Sequence, residues 1–276
     1  MGEKSIETEI NNWEISLNKY EFNDFSMLYD NWMNQAISSI NPKIRSKFSL
    51  NMDNFLFHTH AYLQGSATQK EARERIIMTA RIFDESIDTI YDLSKLTIDQ
   101  LTYIAGQYIA KGRLYSVVQG GLTGTGGFLL LGLDFPLMVV MNLRVVQLIG
   151  LTFGKEVNHP YEMMLSLKVF HAATLPKRFQ KQAWNELKDE LNDGSSFLYE
   201  GEDKLTNRTW MDQPLKQTFK NLLIIMGRKK IVQGIPILSM GVGAYFNYQL
   251  TQQVANFALR FYQLRYLNDL QKMNPK

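Results

Sequence analysis

The sequence predicts an all-α fold, a multi-helix globule carrying two glycine-broken apolar helical hairpins. Three observations point there. Apolar residues recur at spacings of three and four over most of the chain, alternating strand patterns are scarce, and capping residues and prolines stand where the periodic runs begin.

Ile6, Ile10, Trp13 and Leu17 form one stripe of an amphipathic first helix. Asn41-Pro42 opens another, with proline at the first helical position and Ile44, Phe48, Phe55 and Tyr62 as apolar members. Ser66-x-x-Gln69 or Thr68-x-x-Glu71 caps a helix expected to run to about Leu93 through Ile76, Ile77, Ala80, Phe83, Ile87 and Ile90. Thr97-x-x-Gln100 is a capping box with Leu96 and Leu101 as its hydrophobic staple, and its helix should reach the glycine cluster. In that cluster five glycines, Gly120, Gly121, Gly124, Gly126 and Gly127, fall within eight residues. Glycine there lets backbones bend and approach closely inside sequence apolar enough for a core or a bilayer.

Phe135 to Phe153 is apolar almost all round, interrupted by Asn142, Arg144, Gln147 and Gly150. Pro160, Pro176 and Pro214 mark further helix starts. Lys177 through Asp193 reads as a solvated helix, with Phe179, Ala183, Leu187 and Leu191 pointing inward. From Asn192 to Asn207 the chain turns polar and acidic, as an exposed connection would. Ile231 to Phe246 is the second punctuated apolar stretch, with Gly234, Pro236, Gly241 and Gly243, and a last helix carries Leu250, Val254, Phe257, Phe261 and Leu264. The expected organisation is an N-terminal helical region over 1–95, loosely attached to a helical core over 96–276, within one cooperative unit.

Hydrophobic residues at 45% and charged residues at 21% fit a globular protein and argue against disorder. A net charge of +3 with scattered basic residues provides no stripe for nucleic acid. The absence of cysteine removes disulfides, thiolate metal sites and cysteine nucleophiles. The first residues lack the apolar core of a signal peptide, and Ile6 stands where a myristoylation signal needs serine or threonine. These readings place the protein in the cytoplasm.

From Leu122 to Phe153 the only formal charges are Asp134 and Arg144. Three readings stay open for this hairpin: a buried core element, a bilayer span, or a shallow insertion into one leaflet. A span needs roughly 20 apolar residues, and Arg144 would then lie near the bilayer centre, at a cost of about 2.5–3.5 kcal/mol. Shallow docking would draw on Lys111, Arg113, Arg228, Lys229 and Lys230 against anionic headgroups. Asp134 reads either as a carboxylate paired with Arg144 or a ligand, or as the N-cap of a helix beginning at Phe135. Arg144 reads as the partner of an acidic residue or of a helix carbonyl.

Several chemistries find no pattern. Gly124-Thr125-Gly126-Gly127 lacks the Lys-Ser/Thr of a phosphate loop and the G-x-G-x-x-G register. His58 and His60 point in different directions on a helix, without the spacing of a metal site. His159 precedes a helix-starting proline, and His171 lies in an apolar helix. No G-x-S-x-G elbow occurs. No cofactor or metal is therefore expected.

Gly120-Gly121-Leu122-Thr123-Gly124-Thr125-Gly126-Gly127-Phe128, then Asp134-Phe135-Pro136 and Leu143-Arg144-Val145-Val146-Gln147, resembles the core signature of the EcsC protein family. Lys229-Lys230-Ile231-Val232-Gln233-Gly234-Ile235-Pro236, with Gly241-Val242-Gly243-Ala244 and Asn247, is similar to its C-terminal signature, and Ala258, Phe261-Tyr262 and Arg265 fit as well. The match runs from about Leu96 to Leu267, and Phe153-Gly154 replaces the family's usual Tyr-Gly. The resemblance implies a largely helical bacterial cytoplasmic protein, membrane proximity and a link to an ABC exporter. It supplies no catalytic residues.

The expected function is a non-enzymatic accessory protein on the inner face of the cell membrane. Its partner would be an anionic lipid surface or an integral membrane protein. The contact candidates are Gly120, Gly121, Gly124, Gly126, Gly127, Phe128, Leu131, Asp134, Arg144, Gly234, Pro236, Gly241 and Gly243. Two alternatives are a lipid- or peptide-active enzyme around Asp134, Arg144 and His171, and an apolar-ligand module lined by Phe128, Leu131, Val139 and Ile235.

Overall fold

The computed structural model describes residues 2–18, 66–124, 127–175, 177–192 and 236–273. Within them lie seven α-helices, one 3-10 helix and no strand: α1 (Gly2–Asn18), α2 (Ala67–Arg81), the 3-10 helix Tyr91–Lys95, α3 (Ile98–Gly124), α4 (Gly127–Thr152), α5 (Pro160–Thr174), α6 (Lys177–Asn192) and α7 (Pro236–Met273). The expected helix after Pro42, the start at Pro214, the acidic stretch and the segment 231–235 fall outside the described residues.

Local signals set most starts. Ser66 accepts from the Gln69 amide at 3.2 Å, and Thr97 and Gln100 exchange both capping-box bonds, at 2.9 and 3.4 Å. Leu96 and Leu101 are buried beside them. His159 is the N-cap of α5, with Pro160 at its first turn. The end of α4 is a Schellman motif: Lys155 N–H reaches Gly150 O and Gly154 N–H reaches Leu151 O, both at 3.0 Å. It requires the φ of +74° that Gly154 adopts.

Three expected boundaries are corrected. α2 stops at Arg81 rather than near Leu93, because side chains capture the following backbone. Asp84 accepts from Ser86 N–H, Asp92 accepts from Thr89 N–H, and Arg81 Nε donates to Ile87 O. α4 begins at Gly127, so Asp134 lies inside the helix and does not cap it. The leucine-rich run before Asp134 carries the helix through, leaving Pro136 an internal proline that removes one backbone bond. From Pro236 onward the second punctuated stretch is one unbroken helix joined to the last one, with Gly241 and Gly243 inside it.

α3, α4 and α7 form the centre of the molecule. α7 runs antiparallel to α3: Gln263 Nε2 donates to Thr102 at one end, while Thr251 approaches Gly112 twelve residues back along α7. A Cβ added at Gly112 would stand 2.6 Å from Val145 Cγ2 and 3.8 Å from Thr251 Cγ2, so glycine permits this three-helix crossing. Around it the core gathers Leu143, Val146 and Ile149 of α4, Leu165 and Phe170 of α5, and Val254, Phe257, Phe261 and Tyr262 of α7.

α1 closes this core from outside. Ile6 and Ile10 are buried, and Trp13 stands edge-on to Trp184 at 4.7 Å and to Phe257 at 5.4 Å between ring centroids. Glu14 accepts from the Trp184 indole at 2.6 Å and pairs with Lys188. On α6, Ala183, Leu187 and Leu191 point inward as expected, whereas Phe179 is exposed. The neighbouring Gln180 takes the inward position, because its amide donates to the terminal carbonyls Ala173 O and Leu175 O at the end of α5.

Far from the glycine cluster, Arg265 of α7 makes a bidentate pair with Glu162 of α5 at 2.6 and 2.7 Å, over the Tyr161 ring. Burial opposes the Arg265 charge, but the Glu162 bonds outweigh it and hold its pKa above the ordinary guanidinium value.

Candidate functional site

α3 ends at Gly124 and α4 begins at Gly127, so the glycine cluster lies at one end of the α3–α4 pair. The last turns of α3 approach it with their polarity reversed. Gly112, Ser116, Gln119 and Gly120 repeat at helical spacing, and all four are buried. The opposite face is apolar and open to solvent: Leu114 is 62% exposed, Tyr115 59% and Val118 52%, with Val117 beside them. Leu137 of α4 and Tyr245 of α7 extend this exposed face across the same end of the bundle.

The interior of that end is polar. Asn142 of α4 and Asn247 and Thr251 of α7 are each 2% exposed, although they lie in the seam between central helices. Asn142 Nδ2 donates to Met138 O at 2.8 Å, but its Oδ1, the Asn247 Nδ2 and the Thr251 hydroxyl have no hydrogen-bond partner among the described residues. A helix of a water-soluble bundle ordinarily places apolar residues inside and polar ones outside. Here both halves of that rule are inverted over two turns of α3.

The cations named from sequence stand just before this face. Lys111 is exposed, with Nζ 5.5 Å above the Tyr108 ring. Arg113 donates to Asn256 Oδ1 at 3.3 Å, and Arg144 donates to Thr68 O at 3.2 Å. Of the two sequence readings of Arg144, the helix carbonyl is the one found. Burial lowers its pKa from the ordinary guanidinium value and the Arg75 charge nearby adds to that, while Tyr115, the Glu71 carboxylate and Tyr108 oppose it. Arg228, Lys229 and Lys230 lie outside the described residues.

The remaining sequence candidates divide. Gly120 is buried, while a Cβ added at Gly121 would meet nothing within 4 Å. Gly124 ends α3 and Gly127 begins α4, and Pro236, Gly241 and Gly243 lie on α7. Gly126, Gly234 and Ile235 lie outside the described residues, as do the side chains of Phe128, Leu131 and Asp134. Val139 is a core residue at 1% exposure. His171 is half-buried on α5. The stretch 120–154 therefore does not act as one surface: most residues from Met138 to Phe153 are enclosed in the core. No helix among the described residues is long and apolar enough to cross a membrane.

Sequence reasoning missed the exposed Leu114–Val118 face and the buried Gln69. The first was available as a signal, since Gly112, Ser116, Gln119 and Gly120 share one helical face.

The chain was compared with known proteins. It is 23% identical to "Protein EcsC" of Bacillus subtilis (strain 168) over 178 residues, which covers 64% of this chain and 69% of that protein. It is 21% identical to "Uncharacterized protein YdbA" of the same strain over 234 residues, covering 84% and 81%. No solved structure matches. The model of the EcsC protein family matches residues 4–267, so the likeness extends to α1, well before the Leu96 boundary expected from the motifs. With nearly its whole length matched, the chain belongs to the EcsC protein family.

Proposed function

We propose that this protein is a non-enzymatic accessory protein bound peripherally to the cytoplasmic membrane, with the α3–α4 end docked into one leaflet. The observation that carries this reading is the inverted polarity of α3: small and polar residues face the bundle while Leu114, Tyr115 and Val118 face outward. In water that arrangement loses the hydrophobic contribution on the outside and leaves polar groups desolvated on the inside. Beside lipid both halves become favourable, because tails accept the leucine and valines while small and polar residues join the helices.

The order along α3 fits a leaflet. Lys111 comes first, then Leu114 and Tyr115, then Val117 and Val118, then the glycines. A cation snorkels to the headgroups, a tyrosine suits the interface and aliphatic residues suit the tails. At 1.5 Å per residue, Leu114 to Gly124 spans about 15 Å, near half of the roughly 30 Å hydrocarbon layer.

Flotation with protein-free vesicles tests the reading. The full chain is expected to rise with anionic phosphatidylglycerol vesicles and to bind neutral ones more weakly. Protein left at the bottom of both gradients refutes lipid docking. Binding confined to native membranes would instead assign the face to an integral membrane protein, such as an exporter subunit.

A further inference from the structure

Resting on this docking, we propose that Arg144, flanked by Lys111, seats the phosphate of an anionic lipid headgroup at the foot of the apolar α3 face. The first support is a contrast among the arginines. Seven have described side chains, and Arg73, Arg75, Arg81, Arg260 and Arg265 each hold a carboxylate at 2.6–2.9 Å. Arg113 and Arg144 are the other two; neither forms an ion pair among the described residues, the Glu71 charge acting on Arg144 only from a distance, and both stand at this end of the bundle. A half-buried cation is costly unless an anion compensates it.

The second support is the wall around Arg144. Its Nε is buried without a partner among the described residues, and so are both amide atoms of Gln69, a residue with 0% exposure. The position of Gln69 follows from two anchors. Arg144 bonds the carbonyl of Thr68, the preceding residue, and Tyr108 Oη donates to Ala72 O at 3.3 Å, one turn further along α2. Gln69 and Ala72 share the buried stripe of α2, so the amide lies between these anchors and faces α3 and α4, from which Tyr108 and Arg144 approach. Lys111 lies over the same Tyr108 ring. Val145 meets Gly112 and α4 runs back antiparallel to α3, which sets Arg144 level with Arg113, between Lys111 and Leu114. A phosphate at the boundary of headgroups and tails reaches that height when Leu114 and Val118 enter the tails.

The chemistry favours phosphate over a diffuse negative surface. A planar guanidinium binds two phosphate oxygens with parallel bonds, while an ammonium offers only a compact charge. Arg144→Lys keeps the charge and removes the fork, so it separates recognition from attraction.

The test uses the full chain and vesicles of uncharged glycolipid doped with phosphatidylglycerol. Wild type should bind them about tenfold more tightly than Arg144→Lys, the scale of one charge-assisted bond, while Arg113→Lys, which keeps the same net charge at the same end, should bind as wild type does. Equal affinity of wild type and Arg144→Lys, or an equal loss in Arg113→Lys, overturns the seat, even if docking itself holds. Thermal shift with glycerophosphoglycerol supplies an arm that needs no membrane. There stabilisation of wild type, with none in Arg144→Lys, supports the seat even if docking fails, and stabilisation of neither overturns it. Inorganic phosphate matching glycerophosphoglycerol in that assay would assign the seat to free phosphate and overturn the headgroup assignment.

Discussion

Leu114→Gln combined with Val118→Gln separates the stability of the fold from its attachment. The two exposed fractions, 62% and 52%, together equal slightly more than one fully open side chain. At about 1.5–3 kcal/mol for burying such a side chain, lipid contact at these two positions contributes about 2–3 kcal/mol. The double variant should therefore bind anionic vesicles roughly 30- to 150-fold more weakly, at about 1.4 kcal/mol per tenfold. Glutamine is a good helix former, and surface substitutions ordinarily shift stability by no more than about 0.5 kcal/mol, so the urea midpoint should hardly move. The assay is a paired measurement on the same preparation: vesicle titration by sedimentation or flotation, and urea unfolding followed by circular dichroism. Unchanged vesicle affinity in a folded double variant would refute the lipid-facing assignment of α3. Unfolding by several kcal/mol would refute it differently, by placing that face against protein.

Four further outcomes follow from packing and charge elsewhere. Gly150→Ala should destabilise the protein by about 1–3 kcal/mol in urea unfolding, because the added Cβ would stand 2.8 Å from Tyr262 Oη and 2.9 Å from Cζ. Tyr262→Phe should be neutral or stabilising, since that buried hydroxyl has no partner, and it should soften the Gly150→Ala loss. Glu162→Gln leaves Arg265 buried with its charge uncompensated, so a loss of about 3–5 kcal/mol is expected, whereas replacing both partners with apolar residues should cost much less. Asp92 accepts from Lys95, then from the Thr89 hydroxyl and amide, and these bonds hold its carboxyl below the ordinary aspartate value of about 3.9. A depressed folded-state pKa contributes stability that is present above the unfolded value and lost as pH falls through the folded one. Acid unfolding of Asp92→Asn should accordingly show a shallower pH dependence below that value than wild type.

The fold was legible where a local sequence signal coincides with a tertiary contact. The Thr97–Gln100 box starts α3 because its two bonds are local and Leu96 and Leu101 fasten it to the core. The α1 stripe was readable for the same reason, with the buried Ile6 and Ile10 fixing the face that carries Trp13. The misses arise where distant packing decides. Gly241 and Gly243 each weaken a helix by about 1 kcal/mol relative to alanine, which reads as a break from sequence, yet α7 continues through both toward a long buried face. Phe179 looked like a core residue by spacing alone. No local pattern announces that Gln180 is needed to satisfy the terminal carbonyls of α5.

Site and fold separate along α7, which belongs to both. Near Val254, Phe257 and Phe261 it presents apolar residues to an apolar core, and the ordinary rule of a water-soluble bundle holds. One turn earlier the same helix presents Thr251, and another turn earlier Asn247, to a seam that also holds Asn142 and Ser116. A protein that remained in water at both ends would gain stability by replacing these buried polar groups with leucine or valine. It would gain solubility by making Leu114 and Val118 polar. Both changes are chemically simple, and neither is present. The inversion occupies the end that carries the glycine cluster and, among the described residues, the two arginines without an ion pair. The opposite end pairs Arg265 with Glu162 and Lys155 with Asp269. That polarity along one bundle is the expected pattern when one end stays in water and the other meets a lipid surface.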